Sequence, residues 1–271
     1  MNCFDDVCYS LISSAHRLFE ATKMRHCSFL LILISSLLIG CAVNRPKGGT
    51  EAEVLYKEAE ELIGAGRYIL ATEKLNRIRS KYPYSYYATY AELLGADVLF
   101  KQENYAEAAA AYIVFKDFHP RHKKADYVVW KIGESFFKQL PDTFDRDLGS
   151  AFQAIKYFTE LKSVHASSEY AEKADERIGN CEEMIRNKEK YIADFYYKTE
   201  VFDAARFRYE NIISEFKEPK LRAHAIIRSI EASAELGDAA YCRKNKPIYL
   251  SMLDPKFTKK FNSAMEDCTE Q

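Results

Sequence analysis

Catalysis and metal binding both need particular side chains at defined spacing. Beyond residue 41 the chain carries four histidines, His119, His122, His165 and His224. Only His119 and His122 are close enough in sequence to share an ion, and they stand beside Pro120 among Arg121, Lys123 and Lys124 with no H-E-x-x-H or comparable third ligand. Asp145-Arg146-Asp147 brings two carboxylates together, but an arginine between them in a turn-rich stretch suits capping and ion pairing better than acid–base work. G-x-S-x-G, Walker A and G-x-G-x-x-G sequences do not occur. The expectation is a non-enzyme with no catalytic residue, metal or cofactor, acting by contact.

Two groups of residues suit contact. Tyr82, Tyr84, Tyr86, Tyr87 and Tyr90 place five tyrosines in nine residues. Aromatics at helical spacing pack between helices, but five in so short a run exceed one buried stripe, so the surplus faces outward and can hold a peptide. Lys217, Lys220, Arg222 and Arg228 form a basic group that reads either as a solvated helix face or as a docking surface.

The elements that must position these groups are helices. The 271 residues are 48% hydrophobic, 14% aromatic and 29% charged, a globular balance. A net charge of −1 gives no long-range field for a polyanion, so nucleic acid is not an expected partner. With 10 Gly and 7 Pro and no alternating strand pattern, an all-β or Gly-loop nucleotide fold is disfavoured.

The N-terminal region has a different character. Met24-Arg25-His26 precedes an apolar run, Phe29 to Ile39, that is too short to span a bilayer and ends in Gly40-Cys41. A positive start, a short apolar stretch and a small residue before a cut make a secretory signal, so residues 1–40 are expected to be a signal-peptide region. Asp5, Asp6 and Glu20 do not suit a basic leader, which places the true start at Met24. Leu38-Ile39-Gly40-Cys41 resembles the lipobox of bacterial lipoproteins, which implies cleavage before Cys41 and lipidation of its sulfur. Ala42 stands where an aspartate would signal inner-membrane retention, so the same resemblance implies the periplasmic face of the outer membrane. Residues 41–50, with Pro46 and Gly48-Gly49, read as a lipidated flexible tether.

From residue 51 to 271 the chain repeats itself. Gly66-x-Tyr68-x-x-Ala71 with Pro83, and Asn104-Tyr105-x-x-Ala108 with Pro120, share an offset of 37 residues. Twelve residues before the alanines lie Ala59 and Ala96, and Ala193 stands in the same relation to Ala205. Small residues at both places let paired helices approach, an aromatic wedges the turn, and proline stops the second helix. These are the mechanics of the tetratricopeptide repeat, whose unit is 34 residues. The third repeat is interrupted near 140–149, because Gly133 to Ala154 spans 21 residues. Residues 168–200 contain no proline, so two helices can merge there. A fifth, degenerate pair begins near Lys220, and a last helix follows Asp254-Pro255. The expected fold is an all-α, right-handed α-solenoid of about five tetratricopeptide-like helix pairs.

Lipobox, tether, Tyr82-Pro83-Tyr84-Ser85-x-Tyr87-Ala88, His119-Pro120, Asp126-Tyr127-Val128-x-Trp130, Asp145-Arg146-Asp147, Ser168-x-Tyr170-Ala171 and Ala204-Ala205-x-x-x-Arg208 follow one another in an order that resembles the BamD family. That family comprises lipoprotein subunits of the outer-membrane β-barrel assembly machinery. The resemblance covers residues 41–237, departs from the pattern at Val164-His165-Ala166-Ser167, and fades beyond Gly237. It implies an outer membrane protein assembly factor: a scaffold that binds the periplasmic domains of the barrel subunit BamA, receives unfolded outer membrane β-barrel proteins, and can contact other lipoproteins of the machinery. A scaffold for pilus or peptidoglycan-associated complexes is the alternative. The resemblance further implies Tyr82 and Tyr87 as substrate-peptide contacts. It implies Arg222, with Lys220 and Arg228, as the partner-binding group.

Cys242 and Cys268 stand 13 residues before and after Pro255. If Asp254-Pro255 turns between antiparallel helices, the two thiols lie at one level, either bridged or separately buried, whereas Cys181 has no evident partner.

Overall fold

The computed structural model describes residues 45–270, in which there are eleven α-helices. They are α1 Glu51–Gly64, α2 Tyr68–Lys81, α3 Tyr86–Lys101, α4 Tyr105–Phe118, α5 Ala125–Phe137, α6 Gly149–Val164, α7 Ala171–Lys198, α8 Phe202–Glu215, α9 Pro219–Glu235, α10 Ala239–Met252 and α11 Thr258–Thr269. Each helix packs on its neighbour in sequence, giving five antiparallel pairs and a terminal helix. First helices of successive pairs also touch, α1 with α3, α5 with α7 and α7 with α9, while second helices make no comparable contact. First helices therefore form the inner layer of a tetratricopeptide-like solenoid.

The small-residue rule explains the pairing. Ala59, Ala71, Ala108, Ala193 and Ala205 are wholly buried where helices meet. In the third pair the small residue is Gly133, and a Cβ there would lie 2.5 Å from the Phe158 ring, so no larger residue fits without moving it.

The turn inside a pair is repeated in four of the five. Gly66, Glu103, Glu200 and Gly237 have φ of 72°, 63°, 62° and 66°. Each closes its first helix with the two backbone bonds of a Schellman turn, for example Glu103 N–H to Phe100 C=O at 3.1 Å and Asn104 N–H to Leu99 C=O at 3.0 Å. Two of these four left-handed positions are glutamates, which pay about 1 kcal/mol that glycine does not. The third pair replaces the tight turn with residues 139–148.

Helix starts are fixed locally. The Ser85 hydroxyl accepts from Tyr87 N–H at 3.2 Å, and Glu218, followed by Pro219, accepts from Lys220 and Leu221 N–H at 3.1 and 2.8 Å. Helix α7 runs through 28 residues, about 42 Å, joining the first helix of the fourth pair to a long N-terminal extension. At the far end Cys242 on α10 is bridged to Cys268 on α11, with Cα atoms 6.5 Å apart. Cys41 and the signal region lie outside the described residues. Among the described residues no helix is long and apolar enough to cross a membrane.

Candidate functional site

Directly after the small residue of four first helices comes a carboxylate: Glu60 after Ala59, Asp97 after Ala96, Glu134 after Gly133, Asp194 after Ala193. Glu60 is exposed, and in the other three this position faces the next pair. Asp97 on α3 accepts from the Tyr112 hydroxyl on α4 at 2.5 Å and from the Tyr127 hydroxyl on α5 at 2.7 Å. Asp194 on α7 accepts from the Tyr209 hydroxyl on α8 at 2.7 Å and bonds His224 Nε2 on α9 at 2.7 Å, with Lys190 Nζ at 2.5 Å. In both cases the partners stand 15 and 30 residues downstream. Glu134 takes Arg177 Nε at 2.8 Å across the insertion-bearing pair. Burial pushes the Tyr112 and Tyr209 phenols far up, so they stay protonated and donate to the carboxylates. Burial alone would raise the Asp194 carboxyl, but bonds from His224, Lys190 and Tyr209 outweigh it and hold the group well below the usual carboxylate range. These acids were missed in sequence; the signal was an Asp or Glu following each small residue.

The nodes hold the inner layer in register beneath two surfaces. The first is aromatic. Tyr56 on α1 meets Tyr87 and Tyr90 on α3 with ring centres 5.5 and 6.4 Å apart. Tyr86 donates to the Tyr90 hydroxyl at 2.7 Å, and Lys123 Nζ lies 5.2 Å from the Tyr90 ring centre. The bond from Tyr86 and then Lys123 pull the Tyr90 phenol downward. Tyr82 and Tyr87 pack partly buried against the first-pair core, whereas Tyr84 and Tyr86 are 102% and 66% exposed. The cluster thus divides as packing demands, with two rings inward, Tyr84 fully outward and Tyr86 outward but resting on Tyr87 and Tyr90. The inward ones are the pair singled out from the resemblance.

His119 and His122 turn apart. His119 Nε2 bonds Glu92 at 2.9 Å, while His122 Nδ1 accepts the Lys124 N–H at 3.2 Å. His122 Nε2 is buried without a hydrogen-bond partner, between the rings of Tyr90 and Phe115 at 5.4 and 5.2 Å. Asp147 accepts the Gly149 N–H at 3.1 Å and the Arg146 carbonyl accepts from Lys188 at 2.5 Å, so the Asp145-Arg146-Asp147 turn holds the insertion together. Burial pushes the Cys181 thiol up to about 11.

The second surface is basic. Lys220, His224 and Arg228 recur every fourth residue of α9 and share its inner face, while Arg222 is turned about 200° from Lys220. Arg222 Nε donates to the Phe216 carbonyl at 3.1 Å, tying the α8–α9 turn. Arg228 pairs with Glu231 at 2.8 Å and lies 4.6 Å over the Tyr197 ring. The expected basic group therefore splits, with Lys220 and Arg228 lining the inner groove and Arg222 outside it. Among the described residues no three His, Cys, Asp or Glu side chains form a metal-holding group. These surfaces offer contact area, aromatic on one and cationic on the other.

A family model described as outer membrane lipoprotein, YfiO, matches residues 49–247. The chain is 26% identical over 216 residues to the outer membrane protein assembly factor BamD of Vibrio cholerae, covering 76% of this chain and 90% of that protein. It is 28% identical over 204 residues to the assembly factors BamD of Neisseria meningitidis and Neisseria gonorrhoeae, covering 72% of this chain and 73% of theirs.

Proposed function

The chain belongs to the YfiO family of outer membrane lipoproteins, and from that membership we propose that it is an outer membrane protein assembly factor. It works as a scaffold, anchored through lipid on Cys41 at the periplasmic face of the outer membrane. It engages the periplasmic domains of a BamA-type barrel subunit and passes unfolded β-barrel proteins to it, making and breaking no bond. The observation that carries this reading is the extent of the family match, which begins at the tether and runs into the second helix of the fifth pair.

The inward and outward tyrosines set the roles within it. Tyr84, exposed in the turn between α2 and α3, and Tyr86, exposed at the start of α3, are the rings a C-terminal aromatic segment of a substrate would meet; Tyr82 and Tyr87 support them from below. Arg222 serves the partner surface through the α8–α9 turn that it ties.

Affinity purification of the tagged chain from native membranes in mild detergent tests the proposal. Co-purification of a large polypeptide-transport barrel is expected, and its absence alongside pilus or peptidoglycan-linked proteins would overturn the reading. In the same cells Cys41→Ser should leave an unprocessed, unacylated precursor.

A further inference from the structure

A further feature extends the basic surface of α9 along α7, away from the tyrosine face. Along the exposed face of α7, Phe144 from the insertion, Tyr191 and Phe195 border a cavity of about 610 Å³ with Asn187, Lys190 and Lys198. Asn187 and Lys190 also line a cavity of about 350 Å³ between α7 and α9, whose other wall includes Lys220 and His224. Lys220 and His224 in turn line a third, of about 270 Å³, that reaches Lys260 on α11 and Phe257. Shared walls make the three one groove across the inner layer of the C-terminal half.

Its two ends differ. At the insertion end Tyr191 and Phe195 are 51% and 52% exposed. Phe144 packs edge-on to Tyr191 with ring centres 6.0 Å apart, so the aromatic wall is propped from one side and open on the other. Toward α9 and α11 the walls become cationic. Lys220 and Lys260 stand there, and Lys198 borders the aromatic cavity itself; all three are exposed and carry no ion pair among the described residues. Of the carboxylates along the path, Asp194 is engaged in its node, Glu218 on two N–H groups at the start of α9 and Glu231 on Arg228, while Glu183 stands exposed on the α7 wall.

The dimensions suit a chain rather than a broad partner. The path follows roughly ten residues of α7, about 15 Å, and crosses two helix spacings of about 10 Å each. About ten residues of extended polypeptide cover such a length. A duplex or a bilayer needs a wide face, whereas three cavities in a line suit a single extended chain.

We propose that the groove takes an extended acidic segment of a partner polypeptide, with an aromatic or large aliphatic side chain anchored at Phe144, Tyr191 and Phe195 and its carboxylates along Lys198, Lys220 and Lys260. The proposal rests on the reading of this chain as a scaffold and adds a docking site distinct from the tyrosine face. Buried anchors supply affinity, and the unpaired cations supply direction and selectivity.

The test uses the mature chain and a fluorescein-labelled twelve-residue peptide bearing one tryptophan near an end and four glutamates beyond it, followed by anisotropy at 50 and 300 mM salt. Binding should weaken with salt. Lys220→Glu with Lys260→Glu should weaken it about tenfold and gain affinity for the same peptide carrying lysines in place of glutamates. Tyr191→Ala with Phe195→Ala should weaken it about fivefold, as should removing the tryptophan, and Tyr84→Ala with Tyr86→Ala should change nothing. Lys198→Glu, an exposed single change, serves if the double reversal does not fold. Equal affinity for the acidic and basic peptides, unaltered binding in the lysine reversals, or loss through Tyr84 and Tyr86 would overturn the proposal. So would a tryptophan-free acidic peptide that binds equally well, since the groove would then be a patch of cations only. Co-purification of the transport barrel with the lysine-reversed chain would show the assembly reading standing apart from this result.

Discussion

Asp97 and Asp194 occupy the same place in their repeats, and each holds one partner on the next helix and another on the helix after that. Around Asp97 both donors are phenols. Around Asp194 one is a phenol, and the others are His224 and Lys190. The first node is closed by buried, non-titrating hydroxyls beneath a face of tyrosines. The second is held by cationic or protonatable groups that also line an open groove. At these two positions the carboxylate keeps partners at the same two offsets, while the donor chemistry varies with the surface above it. Repetition thus sets the frame, and the residues hung on it set what each half can recognise.

The sharpest way to break that equivalence is to delete each acid. Asp97→Ala leaves the Tyr112 hydroxyl, which is wholly buried, and that of Tyr127 without an acceptor. At roughly 1–3 kcal/mol for each orphaned group, a loss of about 4 kcal/mol is expected in urea unfolding at pH 7. An effect under about 1 kcal/mol would mean that water replaces the carboxylate and that the node is not buried as described.

The C-terminal half has a constraint that the N-terminal half lacks. Among the described residues no helix pair packs beyond α11, and the bridge from Cys242 to Cys268, 26 residues apart, ties it to α10. Replacing both cysteines by serine should cost about 3 kcal/mol in the chain-entropy model. Hydrogen exchange should rise in α10 and α11 first, leaving the pairs around Asp97 unchanged. Uniform exchange along the chain would show the two halves to be one cooperative unit.

Asp194→Ala should cost less than Asp97→Ala, about 2 kcal/mol, because only the Tyr209 hydroxyl is left buried while Lys190 and His224 turn to the groove. The sign of its pH dependence follows from the carboxyl being held below its ordinary value. Its contribution is complete above the unfolded value of about 3.9 and is lost as pH falls through the lower folded one. Wild type and Asp194→Ala should therefore converge in stability in acid and separate fully near neutrality. A difference that stays constant from pH 7 to pH 3 would assign the effect to packing.

Much of this frame is legible in the sequence. Ala59, Ala71, Ala96 and Ala108 announce the pairs by spacing, the gap from Gly133 to Ala154 announces the insertion, and a proline-free stretch announces the length of α7. These signals are local, because close approach and helix termination each depend on one residue type. The site was less legible, because it depends on direction. Tyrosines five to a cluster look alike in sequence, and only packing sends Tyr82 and Tyr87 inward and Tyr84 and Tyr86 outward. Arg222 looks like a member of a basic group until the helical turn separates it from Lys220 and Arg228. Glu103 and Glu200 hide left-handed turns that a glycine would have disclosed.

The smallest predicted effect distinguishes the halves by the pH at which each responds. His122 sits beneath the tyrosine face with Lys124 N–H donating to its Nδ1, so Nε2 bears the proton and lies between the Tyr90 and Phe115 rings. Burial, and then the nearby His119, Lys123 and Lys124, depress its pKa below the ordinary 6.5. In the unfolded chain the ring takes up a proton as pH falls below about 6.5, while the folded chain resists. Between the folded value and 6.5 the unfolded state therefore binds more protons, and stability declines as pH drops through that window. Above it the ring is neutral in both states and the penalty vanishes. The Asp194 carboxylate is still ionised there, so that acid should leave the C-terminal half unaffected. His122→Phe keeps the aromatic contacts and removes the titration. Melting temperatures at pH 7.5, 6.5 and 5.5 should therefore fall less in His122→Phe than in wild type, with exchange in α3 and α4 reporting the difference. Parallel decline in both proteins would place the acid-sensitive group elsewhere and leave the two halves alike in their response to mild acid.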